Sequence, residues 1–254
     1  NTADPFSKGL QTRGNISIGY RASSGGDDAI SVGYVAEVYG LGSVGIGGAV
    51  DIKGTECVAI GQFSAISDVN PLNPNAVKNT RFTVAVGQSS VAYGKYNTNV
   101  GGISQSKGVC NTCIGFYAGG QSDLPNKFVT TTAINGNTFV GAYAGGAETP
   151  AISSLSGDYN TAVGYGARVN GKNVNYNTVV GSYAVTATQA DKSTVFGAYA
   201  GAYSDESVAL GYVARANVGS SGSIAIGART DTGPVDQPIV IGYRATGTAG
   251  GVTI

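Results

Sequence analysis

Along most of this chain a bulky apolar or threonine position alternates with a small one for a few residues and then meets a glycine. Asn160-Thr161-Ala162-Val163-Gly164 is one such run, Ser207-Val208-Ala209-Leu210-Gly211 another and Asn15-Ile16-Ser17-Ile18-Gly19 a third. Fourteen glycines, from Gly19 to Gly242, close runs of this kind, at spacings that start at 14 residues and rise to 26. A fixed short period with occasional excess is the pattern of a solenoid whose coils carry inserted loops. The alternation has period two, so each run is a short β-strand. The expected fold is therefore all-β: a parallel β-solenoid of about fourteen coils, forming one domain over residues 1–254.

Counting back from each glycine, the first residue is always apolar and bulky, and the third is always Ile, Val or Thr. The residue between them is mostly small. We expect the β-branched face to point into the coil and the small face to lie against something close. Fourteen residues make a flat coil with little room, and a long apolar stripe does not stay wet. The small face, with Ala59, Ala85, Ala162, Ala209 and Ala225, is thus the expected contact of a closed homotrimer. Three residues after the glycine a small residue recurs, and tyrosines such as Tyr143, Tyr183 and Tyr199 fill the gap as corner packing. Mid-chain, asparagine stands four places before the glycine (Asn97, Asn111, Asn137, Asn160, Asn177) and threonine three (Thr98, Thr112, Thr138, Thr161, Thr178, Thr194). Stacked coils would turn both into hydrogen-bonded ladders. Because threonine alternates there with Ile and Val, it is expected inside, which argues against an ice-binding face.

Composition narrows the function. Lysine plus arginine equals aspartate plus glutamate at 15 each, which leaves no electrostatic footprint for nucleic acid. No stretch approaches the ~18 consecutive apolar residues of a membrane span, so this segment is not expected to insert in a membrane. The chain has no methionine and begins at Asn1, which reads as a piece of something longer. There is no histidine, hence no common base for a serine or cysteine nucleophile. Cys110 and Cys113 form a C-x-x-C, but without a second such pair or a histidine no zinc site is expected. The plain reading of Cys57, Cys110 and Cys113 is buried thiols; a bridge between Cys110 and Cys113, or one between chains, is the other. No cofactor, metal or catalytic residue is expected. The acidic pairs Asp27-Asp28 and Asp205-Glu206 read as solvated turn residues.

The excess residues fall at one phase of the repeat, near 66–79, 119–136 and 145–157. Insertions at one phase emerge from one edge, and loops on a rigid scaffold are where binding concentrates. The expected receptor contacts are Asn70, Asn73, Arg81, Asp123, Asn126, Lys127, Phe128, Glu148 and Asp158. Loop acids such as Asp123, Glu148 and Asp158 could instead form a glycosidase pair.

Ser207-Val208-Ala209-Leu210-Gly211-Tyr212-Val213-Ala214-Arg215-Ala216 and Ser223-Ile224-Ala225-Ile226-Gly227-Ala228-Arg229 resemble the head repeats of trimeric autotransporter adhesins, the YadA-like group. The likeness runs from Ile16 to Ile241. It implies a left-handed parallel β-roll, a homotrimer about the long axis, and a non-enzymatic, extracellular adhesin held on a bacterial surface through regions outside this segment. Its partner would be a cell-surface glycan, protein or matrix component. Runs such as Asn137-Thr138-Phe139-Val140-Gly141 are also similar to β-roll repeats of bacteriophage tail fibres, which implies a virion receptor-binding region or, less readily, a glycan-cleaving spike. The heptad stalk and membrane barrel of the adhesins are absent from this sequence, and the three insertions depart from a plain head.

Overall fold

In a computed structural model the described residues are 13–67, 80–119, 134–145, 157–170, 174–187, 190–217, 221–234, 237–247 and 251–254. All their regular structure is β; no helix occurs among them. The chain divides into two compact units, Asn1–Phe116 and Tyr117–Ile254.

In the N-terminal unit seven short strands pair in parallel and in register: Ile16–Ile18, Ile30–Val32, Val44–Ile46, Val58–Ile60, Val84–Val86, Thr98–Val100 and Thr112–Ile114. Each anchor glycine thus stacks on the next. A second parallel row faces the first, made of Ser23–Ser24, Glu37–Val38, Asp51–Ile52, Ala65–Ser67, Val91–Lys95 and Gln105–Val109. One strand from each row and two corners make one coil. The expected insertion at 66–79 therefore starts later, because Ile66 lies fully buried within the second-row strand.

The C-terminal unit repeats the plan. Its first row runs through Thr138–Val140, Thr161–Val163, Thr178–Val180, Thr194–Phe196, Val208–Leu210, Ile224–Ile226, Ile239–Ile241 and Val252–Thr253. Its second row is Arg168–Val169, Val185–Thr186, Gly201–Ala202 and Arg215–Ala216. Both units are parallel β-solenoids with a spacing near 14 residues.

The interior reverses one expectation. Ala59, Ala85, Ala162, Ala209 and Ala225 are all completely buried inside the coil, so they offer no surface to another chain. The residues on either side of them, β-branched except for Leu210, point outward. The reason is the width of the coil. The two rows stand so close that only a small side chain fits opposite a medium one. An added Cβ at Gly45 would lie 2.5 Å from Val38 Cγ2 and 3.1 Å from Val50 Cγ1, both on the opposing wall. Where the first row carries a large residue the other wall yields: Phe139, 2% exposed, sits where a Cβ on Gly145 would be 2.5 Å from its ring.

Each coil turns twice through a left-handed residue, at five places before the glycine and at two places after it. Tyr96, Tyr159 and Tyr176 (φ 57, 60 and 57) are examples of the first corner, Val35, Tyr183 and Val213 (φ 53, 55 and 57) of the second. Their amides are not orphaned. Tyr176 N–H donates to the Asp158 carbonyl at 3.1 Å and Tyr183 N–H to the Tyr165 carbonyl at 2.9 Å, both one coil back.

The asparagine ladder forms as expected, buried at the first corner. In the N-terminal unit Asn111 donates from its backbone and its side chain to Asn97 Oδ1, at 3.0 and 3.1 Å. In the C-terminal unit Asn160 N–H donates to Asn137 Oδ1 at 2.9 Å, and Asn160 Oδ1 accepts from Asn177 N–H at 3.0 Å and from Asn177 Nδ2 at 3.1 Å. Asn160 Nδ2 donates to the Val174 carbonyl at 2.8 Å. Serine continues the column, with Ser193 N–H on Asn177 Oδ1 and Ser207 N–H on Ser193 Oγ. Asn160→Ala strips the Asn177 amide and the Val174 carbonyl of these partners in a dry corner. Each buried group left unpaired costs about 1–3 kcal/mol. The variant is expected to lower the midpoint of urea unfolding, with the slope of the transition unchanged.

Candidate interaction surface

The outward side of the first row is an apolar face in each unit. Ile16, Ile18, Ile46 and Ile60 stand exposed in the N-terminal unit, and Phe196 and Ile241 in the C-terminal one. Ile18 is 59% and Phe196 60% exposed, values at odds with a core residue. The mid-chain threonines lie on this same side. Thr178 and Thr194 are exposed and Thr98, Thr112, Thr138 and Thr161 half-buried, which corrects their expected inward placement. Val163 and Val180 do share one row, as the repeat required, but it is the outer row.

Aromatic rings line the corner that follows the glycine. In the C-terminal unit Tyr117, Tyr143, Tyr165, Tyr183, Tyr199 and Tyr212 touch in sequence, with centroids 5.3–6.3 Å apart. Tyr117 and Tyr143 are stacked, as are Tyr183 and Tyr199, whereas Tyr165 and Tyr212 meet their neighbours edge-on. The rings thus support one another, as corner packing requires, while Tyr143, Tyr165, Tyr199 and Tyr212 keep about half their surface exposed.

The other corner carries a second set. In the N-terminal unit Phe82 and Tyr96 stack at 5.5 Å and 10° with both rings exposed. Arg81, exposed, immediately precedes Phe82, and Lys95 immediately precedes Tyr96. The backbone of Tyr96 donates to the Arg81 carbonyl at 3.1 Å, which fixes the two coils edge to edge. Two cations and two stacked rings therefore share one corner. In the C-terminal unit Tyr159 and Tyr176 stack at 5.3 Å on the equivalent corner, but the residues preceding them are Asp158 and Asn175.

Of the expected loop contacts, Asn70, Asn73, Asp123, Asn126, Lys127, Phe128 and Glu148 lie outside the described residues. Asp158 does not stand free on a loop. Its Oδ1 accepts from the Asn135 amide at 2.7 Å, and its own amide donates to Asn175 Oδ1 at 2.9 Å. The same bond recurs up the column: Asn175 N–H to Asp191 Oδ1, and Asp191 N–H to Asp205 Oδ1. Asp27 does likewise for Arg13 N–H. These acids hold corners together. Glu206 faces Lys192 at 3.3 Å in an exposed pair that contributes little to stability.

One polar patch was not expected from the sequence. On the outer side of the second row of the N-terminal unit, Lys53 Nζ donates to Asp51 Oδ2 at 2.9 Å and Tyr39 Oη to Glu37 Oε2 at 3.5 Å. The bond to Asp51 raises the Lys53 pKa, and burial, with the Asp51 charge adding to it, pushes the Tyr93 phenol up to about 12. Each bond joins residues two apart along one rung, and the register sets Glu37 beside Asp51 on the next rung, which brings the two pairs together.

Cys57 and Cys113 are buried, as expected, and burial pushes the Cys113 thiol up to about 12. Cys110 differs: it occupies a left-handed corner (φ 60) and is exposed. None of the three cysteines is in a disulfide. Among the described residues no three acidic or thiol groups gather as a metal ion would need.

No protein-family model matches the sequence, and no curated protein matches it.

Proposed function

We propose that this chain is the receptor-binding head of a non-enzymatic, extracellular adhesive fibre that works as a homotrimer, as the likeness to trimeric autotransporter adhesins implies. The observation that carries the proposal is the outward β-branched face of the first row. Parallel, in-register rungs repeat Ile and Val at the surface of each unit, with Phe196 and Leu210 added in the C-terminal one, beyond the isolated apolar residues a lone soluble chain exposes. A neutral chain sets up no net repulsion between copies of itself. Closed symmetry is the economical way to cover an identical face on every copy.

The receptor contact then belongs to the surfaces left outside. In this reading the corner with Arg81, Phe82, Lys95 and Tyr96 takes part, because cations beside stacked rings suit sugar hydroxyls, carboxylated sugars or acidic peptide. The insertions expected near 66–79, 119–136 and 145–157 are the other candidates. Three copies would turn weak single contacts into firm attachment through avidity. The same head would serve a bacterial surface fibre or a virion tail fibre.

Light scattering is expected to return three times the 25.4 kDa chain mass. Arg81→Ala with Tyr96→Ala is expected to reduce retention on target cells at least tenfold while the mass stays trimeric. Full retention by that double variant, and by a second variant lacking residues 121–133, would move the contact elsewhere.

A further inference from the structure

The outward face is not uniform. In the N-terminal unit the position three before the glycine reads Ile16, Ile30, Val44, Val58 and Val84, then turns to Thr98 and Thr112. In the C-terminal unit Thr138, Thr161, Thr178 and Thr194 occupy four successive rungs, followed by Val208, Ile224 and Ile239. The threonines are strictly in register, Thr98 on Thr112 and Thr138 on Thr161 on Thr178 on Thr194. None of the six hydroxyls makes a hydrogen bond to another described residue. Threonine keeps the β-branched shape of the valines and isoleucines above and below it and adds one donor and one acceptor.

We propose that these threonine rungs are the register key of association between copies of this chain. The inference rests on the proposed trimer with this face inward. Once water leaves the face, a hydroxyl without a partner is penalised while a methyl in its place is not. Parallel copies at the same height set threonine rung against threonine rung, and the hydroxyls can satisfy one another across the interface. A copy displaced by one rung sets a threonine against an apolar residue at the edge of each block. Apolar rungs alone discriminate poorly, because Ile and Val of one copy pack acceptably on Ile or Val of the next at any height. A few polar positions in an apolar seam fix register in the same way in coiled coils, where they lower stability and raise specificity.

The exposed Cys110 supplies the test, since its thiol is accessible where those of Cys57 and Cys113 are buried. A nitroxide is attached to Cys110 of the full chain, and distances between copies are measured by pulsed electron resonance. The wild type is expected to give one narrow distance. A variant with valine at all six positions (Thr98→Val, Thr112→Val, Thr138→Val, Thr161→Val, Thr178→Val and Thr194→Val) is expected to keep the trimer mass but to split into populations displaced by whole rungs, steps of ~4.8 Å. The corresponding six-serine variant, which restores the hydroxyls, is expected to return to the single distance. A single narrow distance in the valine variant, identical to the wild type, overturns the register role and leaves the trimer standing. A monomeric wild type overturns the assembly itself, and the register role with it.

Discussion

Alanine at Gly164 is expected to destabilise the C-terminal unit by about 3 kcal/mol or more. Two independent facts converge there. The backbone has φ 135, a conformation L side chains rarely adopt. An added Cβ would also stand 2.6 Å from the Gly181 carbonyl oxygen, which the parallel register holds directly beside it. The neighbour cannot retreat, because the Gly181 amide is bonded to the Val163 carbonyl at 2.9 Å and the rows repeat that bond from rung to rung. A domain is stable by only about 5–15 kcal/mol, so one such change removes a large share. Circular dichroism during heating should show a melting temperature lowered by several degrees, whereas Gly48→Ala, where the nearest atom is the flexible Gln62 side chain at 3.7 Å, should barely move it.

The glycine corner was legible in the sequence because it obeys a backbone rule that no other residue meets. The asparagine ladder was legible for a similar reason: a polar residue at one fixed phase must pair with its own repeat. The first corner was only half legible. Gly14, Gly42, Gly136 and Gly222 mark it five places before the anchor, yet Tyr96, Tyr159 and Tyr176 adopt the same left-handed turn and hide the signal. Which face of the strand lies inside was not legible at all from alternation. Period two separates two faces without saying which is buried, and a wrong choice moves every side chain. The deciding quantity is the gap between the two rows. The signal for it was present in two small-residue rows rather than one, Ala162 and Ala167 in the same coil, which a wide interior would have left unfilled. The placing of Asp51 beside Glu37 and of Tyr96 beside Arg81 needed the register, which sequence spacing alone does not supply.

That reversal of inside and outside sets two substitutions on adjacent residues against each other. Ala209→Leu introduces three extra carbons where Ala209 is 0% exposed, between Val195 and Ala225 of the adjoining rungs. Overpacking of a filled interior costs about 1–3 kcal/mol, occasionally more. The expected result is a lower melting temperature for the chain itself, seen alike in the proposed trimer and in any monomer. Leu210→Asp changes the very next residue, which points outward and is only half-buried. A carboxylate there stays hydrated in a lone chain but must be stripped of water when the face is covered, so the secondary structure is expected to persist while the proposed trimer dissociates. Sedimentation velocity separates the two outcomes: Ala209→Leu should leave the mass of the folded fraction unchanged, and Leu210→Asp should shift it to that of one chain. If Leu210→Asp sediments as the wild type does, the outer row is not the contact between copies, and the association surface must be sought on the tyrosine corner instead.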